Sequence, residues 1–466
     1  MRAMGVSAAA LALPGCTGPT HQLAGKTPKN KPNVLFIAIE DLNHWIGCIR
    51  GYPGLETGNL DRLARRGMLF TNAHVSAPAC NPSRASLLTG ILPSTSGVYG
   101  NPQPWRNSPV LKDAITLPHY FKDNGYWVAG GGKIFHDGYP DPEAWHEYFN
   151  PGESPVPAKP SDWPVKGMFW GPLDVPDEQM GDWKLTSWVI EQLGKKHDKP
   201  FFLACGIRKP HLTWQVPRKY FDMHPLNEVA LPKVKENDLD DIPEIGKRLV
   251  FSNIHKSIIE SNNWRNAVQA YLACISFVDV CIGRLIDALD ESPCANNTVT
   301  MLWSDHGWHL GQKHDWKKFV LWEEVTHVPF MITAPGITKP GGRCSAPVSL
   351  IDIYPTLIDL CNLPAKKGIE GKSLLPLLKN PEAKWERPAL TTINRSDGVC
   401  HSLRSKRWRY IRYSDGTEEL YDHYNDELEW TNLLWPEHPD PRHRRAADEL
   451  AKWLPKSSAP ASPKSE

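Results

Sequence analysis

The sequence has no run of 18 or more apolar residues, so no membrane-spanning helix is expected. It has no excess of one charge. Its 53 Lys and Arg stand against 52 Asp and Glu, a formal net charge of +1, which points to neither nucleic acid nor an acidic surface as partner. It has no Cys-x-x-Cys pair, so no zinc reading survives. It also has no internal repeat.

What is present is ample for one large core and a smaller one: 466 residues, 41% hydrophobic and 23% charged. Nineteen tryptophans and 43 prolines suggest long ordered loops and aromatic platforms, a common lining for a carbohydrate cleft, although stability alone also explains them. Residues 1–16 carry one Arg and then a short apolar core, the pattern of an export signal. Leu13-Pro14-Gly15-Cys16 resembles a bacterial lipobox with Cys16 as the lipidated residue, which gives an exported protein, periplasmic or lipid-anchored at the envelope. Ten cysteines in such a chain could form bridges, but Cys274 and Cys281, seven apart in a helical pattern, share a face and read as core.

Organisation follows the apolar runs. Residues 1–32 are signal or anchor and linker, 33–385 the main domain, 386–455 a C-terminal subdomain, and 456–466 a Ser/Pro/Lys-rich tail expected to be disordered. Asn33–Ile39, Phe201–Cys205 and Thr298–Trp303 are continuous apolar runs, the signature of buried parallel strands. Met68–His74, Tyr126–Gly130 and Pro329–Thr333 also read as strands. Helical spacing covers Thr57–Arg66, Thr116–Asn124, Asp182–Lys196, Asn266–Leu289 and Ile351–Cys361. The fold class is α/β, a large, mostly parallel sheet flanked by helices. From about Arg387 short alternating strands at Ala389–Ile393, Trp408–Tyr413 and Glu419–Tyr421 give an α+β subdomain with an antiparallel sheet, closed by a helix at Arg442–Leu454.

Chemistry sits where apolar strands stop: Glu40-Asp41, Lys133 and His136, His211, and Asp305-His306. A doubly wound sheet brings successive strand ends to one rim, where such sheets bind their ligands. Adjacent carboxylates at Glu40-Asp41 suit a hard cation such as calcium. In Cys80-Asn81-Pro82-Ser83-Arg84, Pro82 fits the first turn of a helix, so Cys80 lies at an N-terminus that favours an anion, and Arg84 returns to the same side one turn later.

Cys80-x-Pro82-Ser83-Arg84 before an apolar helix resembles the signature of the type I sulfatases, and the resemblance runs from residue 33 to about 435, nearest to iduronate sulfatase-like members. It is carried by Asn33–Asp41, Cys80–Gly90, Gly132–His136, Lys209-Pro210-His211, Ser304–Lys318 and Glu419–Asp422. It implies an alkaline-phosphatase-like fold. It implies that a formylglycine-generating enzyme oxidises Cys80 to an aldehyde, whose hydrate attacks the sulfur of a sulfate ester and then expels sulfate as its second hydroxyl loses a proton. It implies one calcium ion held by Glu40, Asp41, the modified Cys80, Asp305 and His306, although most members have two aspartates where Glu40-Asp41 stands. Lys133 and Lys318 would hold sulfate oxygens, Arg84 and His136 would lie near the diol, and His211 beside the ester oxygen as proton donor.

The Trp-rich insertions and the basic segment Arg404–Arg409 suit a sulfated carbohydrate as substrate over a small aryl ester. Two other readings stay open. One is a phosphomonoester or phosphonate hydrolase of the same superfamily, which usually recruits two metals where ligands for one are seen. The other is a non-catalytic glycan-binding protein that leaves Cys80 unconverted.

Overall fold

The computed structural model describes residues 31–157, 159–395 and 397–465. The expected export signal and Cys16 lie outside them. Among the described residues no helix is long and apolar enough to cross a membrane.

Eight strands form the central sheet: β1 (Asn33–Ile39), β2 (Met68–Phe70), β3 (Trp127–Gly132), β4 (Glu147–Phe149), β5 (Phe201–Ile207), β6 (Thr298–Ser304), β7 (Phe330–Thr333) and β8 (Gly342–Cys344). Their spatial order is β8-β2-β7-β6-β1-β5-β3-β4. All neighbouring pairs are parallel except those made by β7, which runs against β2 and β6. The mostly parallel sheet read from the sequence is therefore present.

The reason β1 reads as an unbroken apolar run is that both its faces are covered. Leu35, Ile37 and Ile39 pack into the core that holds α1 (Gly58–Arg66), α4 (Gly181–Gly194) and the long α5 (Trp264–Glu291). Val34, Phe36 and Ala38 pack into the opposite core with α2 (Cys80–Thr89), α3 (Leu117–Asp123) and α6 (Ile353–Leu360). The C-terminal sheet is β9 (Ala389–Arg395), β10 (Gly398–Arg404), β11 (Trp408–Arg412) and β12 (Glu418–Asp422), antiparallel in that order, with α7 (Pro441–Ala451) against one face.

The structure corrects two expectations and adds two observations. Met68–His74 is not one strand: Thr71 and Asn72 bond to the backbone of Cys344 and Ser345, the chain bends there, and Ala73–His74 pairs with Val348–Ser349 in a sheet of its own. Residues 139–178, rich in Pro, Trp and Gly, supply the edge strand β4. The tail is laid down rather than disordered: the N–H groups of Ala459, Ser462 and Ser465 donate to the carbonyls of Ser94, Gly97 and Pro102. No disulfide forms among the nine described cysteines, and Cys274 and Cys281 fill core as expected.

Candidate active site

β1, β5 and β6 lie side by side, and their carboxyl ends open on one rim. β1 delivers Glu40 and Asp41, β6 delivers Asp305 and His306, and β5 leads into His211. Cys80 opens α2 beneath them and is fully buried. Its Sγ lies 2.9 Å from Lys318 Nζ, 3.3 Å from His306 Nε2 and 3.5 Å from Glu40 Oε1. Residues separated by more than 200 positions thus meet around one atom.

Each group is held by the local fold. Asp41 has φ 59°, the left-handed region, which turns the chain sharply off β1. The buried Tyr271 of α5 fixes that turn: its hydroxyl donates to the Asp41 carbonyl at 2.7 Å and accepts the Asn43 N–H at 3.0 Å. Asp305 Oδ1 accepts the N–H groups of Asp41 and His306 at 3.0 and 3.1 Å. Ser83 Oγ donates to the Asp305 carbonyl at 2.7 Å, tying α2 to β6. Arg84 Nε donates to Asp305 Oδ2 at 2.9 Å, and its Nη1 reaches the carbonyls of Lys133 and Ile134. His306 Nδ1 bonds the Gly307 carbonyl at 3.0 Å, which leaves Nε2 as the free lone pair facing Cys80 and Asp41.

The cations are paired inside the cluster. Lys318 Nζ donates to Asp41 Oδ1 at 2.8 Å, and Lys133 Nζ is paired with Glu40. His211 Nε2 stands 3.6 Å from Glu40 Oε1 and 3.9 Å from Asp41 Oδ2, with Nδ1 bonded to the Leu212 carbonyl. His136 is set apart from this cluster. Its Nδ1 bonds the Asp137 carbonyl at 2.9 Å, and its ring stacks on Tyr139 in the wall of the adjoining cavity. In the basic segment Arg404–Arg409, two of the three guanidinium groups are buried in ion pairs and only that of Arg407 is exposed. Arg404 pairs with Glu323, Arg407 with Asp422, and the fully buried Arg409 with Glu323 and Glu429. Lys313 Nζ turns to Asp238 Oδ1 at 2.7 Å.

Burial and charge set the protonation states. Burial pushes the Cys80 thiol up to about 12, against the pull of Lys318, so it is neutral at pH 7 and a poor nucleophile as a thiol. Burial raises Asp41 despite Lys318 and His306. Burial also works against charged Glu40, yet His211, Lys133 and Arg84 hold it well below the usual carboxylate range. Burial lowers His306, leaving the neutral imidazole that a metal needs. It lowers His211 to about 4, with Lys318 and Lys133 adding to the effect and Glu40 opposing it.

The residues fit a cation. Ligand atoms of Asp41, Cys80, Asp305 and His306 all lie within 4.8 Å of one another, as do those of Glu40, Asp41, Cys80 and His211. Glu40 Oε2 and Asp41 Oδ2 are buried without a hydrogen-bond partner, a costly state that an ion would relieve. Three carboxylates and one imidazole form an oxygen-rich donor set of the kind hard cations prefer. Because Tyr271 holds the turn that aims Asp41, Tyr271→Phe is expected to weaken divalent-cation binding about ten-fold, the worth of one or two buried hydrogen bonds. Calorimetric titration of the variant with calcium checks this.

A family model described as Sulfatase matches residues 32–363, and one described as N-sulphoglucosamine sulphohydrolase, C-terminal, matches residues 306–457. The chain is 39% identical over 456 residues to a sulfatase of Formosa agariphila, covering 92% of this chain and 87% of that protein. It is 30% identical over 383 residues to iduronate 2-sulfatase of Homo sapiens, covering 71% and 69%. In structure it is similar to a protein solved in complex with its substrate D-glucosamine-2-N,6-O-disulfate, with a TM-score of 0.72, 20% identity, and coverage of 91% of this chain and 98% of that one.

Proposed function

This chain belongs to the sulfatase family and is a sulfuric ester hydrolase, and on that premise we propose that it removes sulfate from a sulfated carbohydrate, using a formylglycine made from Cys80 and one calcium ion. The observation that carries the reading is the meeting of Lys318 Nζ, His306 Nε2 and Glu40 Oε1 around Cys80 Sγ, beside two carboxylate oxygens that lack partners.

When present, the hydrated aldehyde supplies an oxygen nucleophile with a second hydroxyl for expelling sulfate, and the cation supplies positive charge to the sulfuryl oxygens. Glu40, Asp41, Asp305 and His306 are the residues that would hold the ion, with position 80 completing the set. Lys133 and Lys318 carry protonated ammonium groups, held so by Glu40 and Asp41; Lys318 touches Cys80 Sγ and Lys133 sits on Glu40, and both are there to neutralise sulfate charge. Arg84 fixes Asp305 and the carboxyl end of β3 from below. His211 presents Nε2 at the mouth of the site, where a leaving alcohol departs, and donates the proton that the alcohol requires. The arriving sulfate is an anion, and its charge raises the proton affinity of this otherwise depressed imidazole. His136 stands apart in the cavity wall, with Nδ1 on the Asp137 carbonyl, and enters the proposal as the acceptor of the proton lost during sulfate release. Export and conversion by a formylglycine-generating enzyme belong to the same proposal.

Intact mass of the Cys80 peptide tests the first step: conversion lowers it by about 18 Da. Desulfation of sulfated oligosaccharides, run beside phosphate and phosphonate esters, tests the second. Faster cleavage of the phosphorus esters would overturn the reading. His211→Ala is expected to lower kcat/KM on a sulfated sugar about 10²- to 10⁴-fold, with a smaller loss on an activated aryl sulfate whose leaving group needs no proton.

A further inference from the structure

Beside the cluster lies a cavity of about 1000 Å³, at the upper end of the usual range for small-molecule sites. His136 and His211 line it, so it is contiguous with the reacting centre and receives whatever is attached to the sulfate. Its charges are unexpected for a protein acting on polyanions. Among the described residues its wall contains the carboxylates Asp137, Glu147, Glu153 and Asp182 against the cations Arg208 and Lys209. Neither cation is free. Arg208 forms a two-pronged pair with Asp137 at 2.7 and 2.9 Å, and the Lys209 ammonium is bonded to the Thr213 carbonyl.

Resting on the reading of the substrate as a sulfated carbohydrate, we propose that this cavity binds a neutral sugar unit bearing the single sulfate to be removed, and selects against a uronate or a second sulfate. Two features favour such a ring. The Arg208–Asp137 pair is about half exposed on both sides, so it offers N–H donors and a carboxylate acceptor together, the complement of neighbouring hydroxyl groups that donate and accept. Tyr148 on the edge strand β4 is 41% exposed, and its hydroxyl donates to the Gly132 carbonyl at 2.7 Å, which fixes an aromatic face beside the entrance for a sugar ring to lie on. An additional anion meets as cations only the paired Arg208 and the buried Lys209, and it approaches the exposed carboxylates of Glu147 and Glu153, so its desolvation goes uncompensated; Asp137 is taken up by Arg208, and both Asp182 oxygens accept backbone N–H groups. Asp137 also lies 3.7 Å from Lys133, which ties the sugar-facing pair to the sulfate-facing one.

The test is a matched panel on the converted, calcium-loaded enzyme: neutral oligosaccharides carrying one sulfate, the same frameworks with a uronate or second sulfate beside it, and para-nitrophenyl sulfate. The neutral set is expected to show kcat/KM at least about ten-fold higher than its anionic counterparts. Equal or better use of the anionic set would overturn the inference while leaving the carbohydrate reading intact. Cleavage of the aryl ester alone would overturn the carbohydrate reading itself. Asp137→Asn, which frees Arg208, is expected to narrow the preference about ten-fold by raising kcat/KM on the uronate set. An unchanged ratio would count against the pair as the selecting element. Arg208→Ala is expected to raise KM on neutral sugars more than it lowers kcat. A loss of the same size on para-nitrophenyl sulfate would assign Arg208 to the fold and remove it from the cavity's role.

Discussion

Replacing Cys80 with serine is expected to abolish turnover, a loss on the order of 10⁴- to 10⁶-fold. The site would keep its shape, because serine is smaller than cysteine and the neighbours of Sγ are held by their own bonds: Lys318 by Asp41, His306 by Gly307, Glu40 by Lys133. What is lost is chemical. A serine hydroxyl could attack sulfur once, but the resulting ester has no second hydroxyl from which a carbonyl can form, so sulfate is not expelled. The unconverted thiol is no substitute, since burial keeps it protonated up to about pH 12. Steady-state desulfation assays of Cys80→Ser, made where only cysteine is converted, check this. Wild-type rates in the variant would refute the mechanism.

The second large effect is on the fold and the site together. Arg84→Ala is expected to destabilise the protein by about 3–5 kcal/mol, because it leaves a buried carboxylate without its partner. Arg84 is 1% and Asp305 0% exposed at the side chain, so water does not take over. The same substitution strips the carbonyls of Lys133 and Ile134 of their donor, at the turn that aims Lys133 at Glu40. Activity is expected to fall with stability. Arg84→Lys restores a charge but not the fork, and is expected to recover only part of either. Urea unfolding of the two variants against the wild type measures the difference.

The pH dependence of that pair has a definite sign. Burial disfavours charged Asp305, but Arg84 foremost, with His306, brings it down to about 2. A carboxyl depressed in the folded state stabilises above its unfolded value and loses that contribution as pH falls through the folded one. The Asp305 contribution is therefore complete above pH ~4 and fades towards pH 2. In Arg84→Ala the acid limb of stability is expected to move to higher pH, which unfolding midpoints collected from pH 2 to 6 would reveal.

The sheet and most of the site were readable in the sequence for one reason. Buried parallel strands tolerate nothing ionisable, so β1 and β6 are apolar until they stop, and Glu40-Asp41 and Asp305-His306 mark the stops. Cys80 and Arg84 were readable because the proline between them places a helix start. Other parts carry no such mark. Tyr271 sits on the apolar stripe of α5 and looks like core, yet its hydroxyl is what fixes the Asp41 turn. Arg208 and Asp137 are 71 positions apart, and nothing local pairs them. Arg404 of β10 and Arg409 of β11 look like members of an outward basic face, but distant glutamates bury them; only Arg407 between the strands stays exposed, on Asp422. β10 carries no apolar strand signal because His401, Ser402 and Arg404 are polar residues that the fold encloses. The tail has the composition of a disordered segment, and only its hydrogen bonds to 94–102 show otherwise.

The 1% exposure of Cys80 sets an order of events. In the finished fold its sulfur is sealed under contributions from positions 40, 306 and 318, which leave the ribosome at quite different times. No oxidising catalyst has room to grip the loop once those parts have closed over it. Conversion of Cys80 as proposed would therefore have to outrun folding: the thiol would be altered while the polypeptide is still open, and a chain that folded first would be locked in its inactive form.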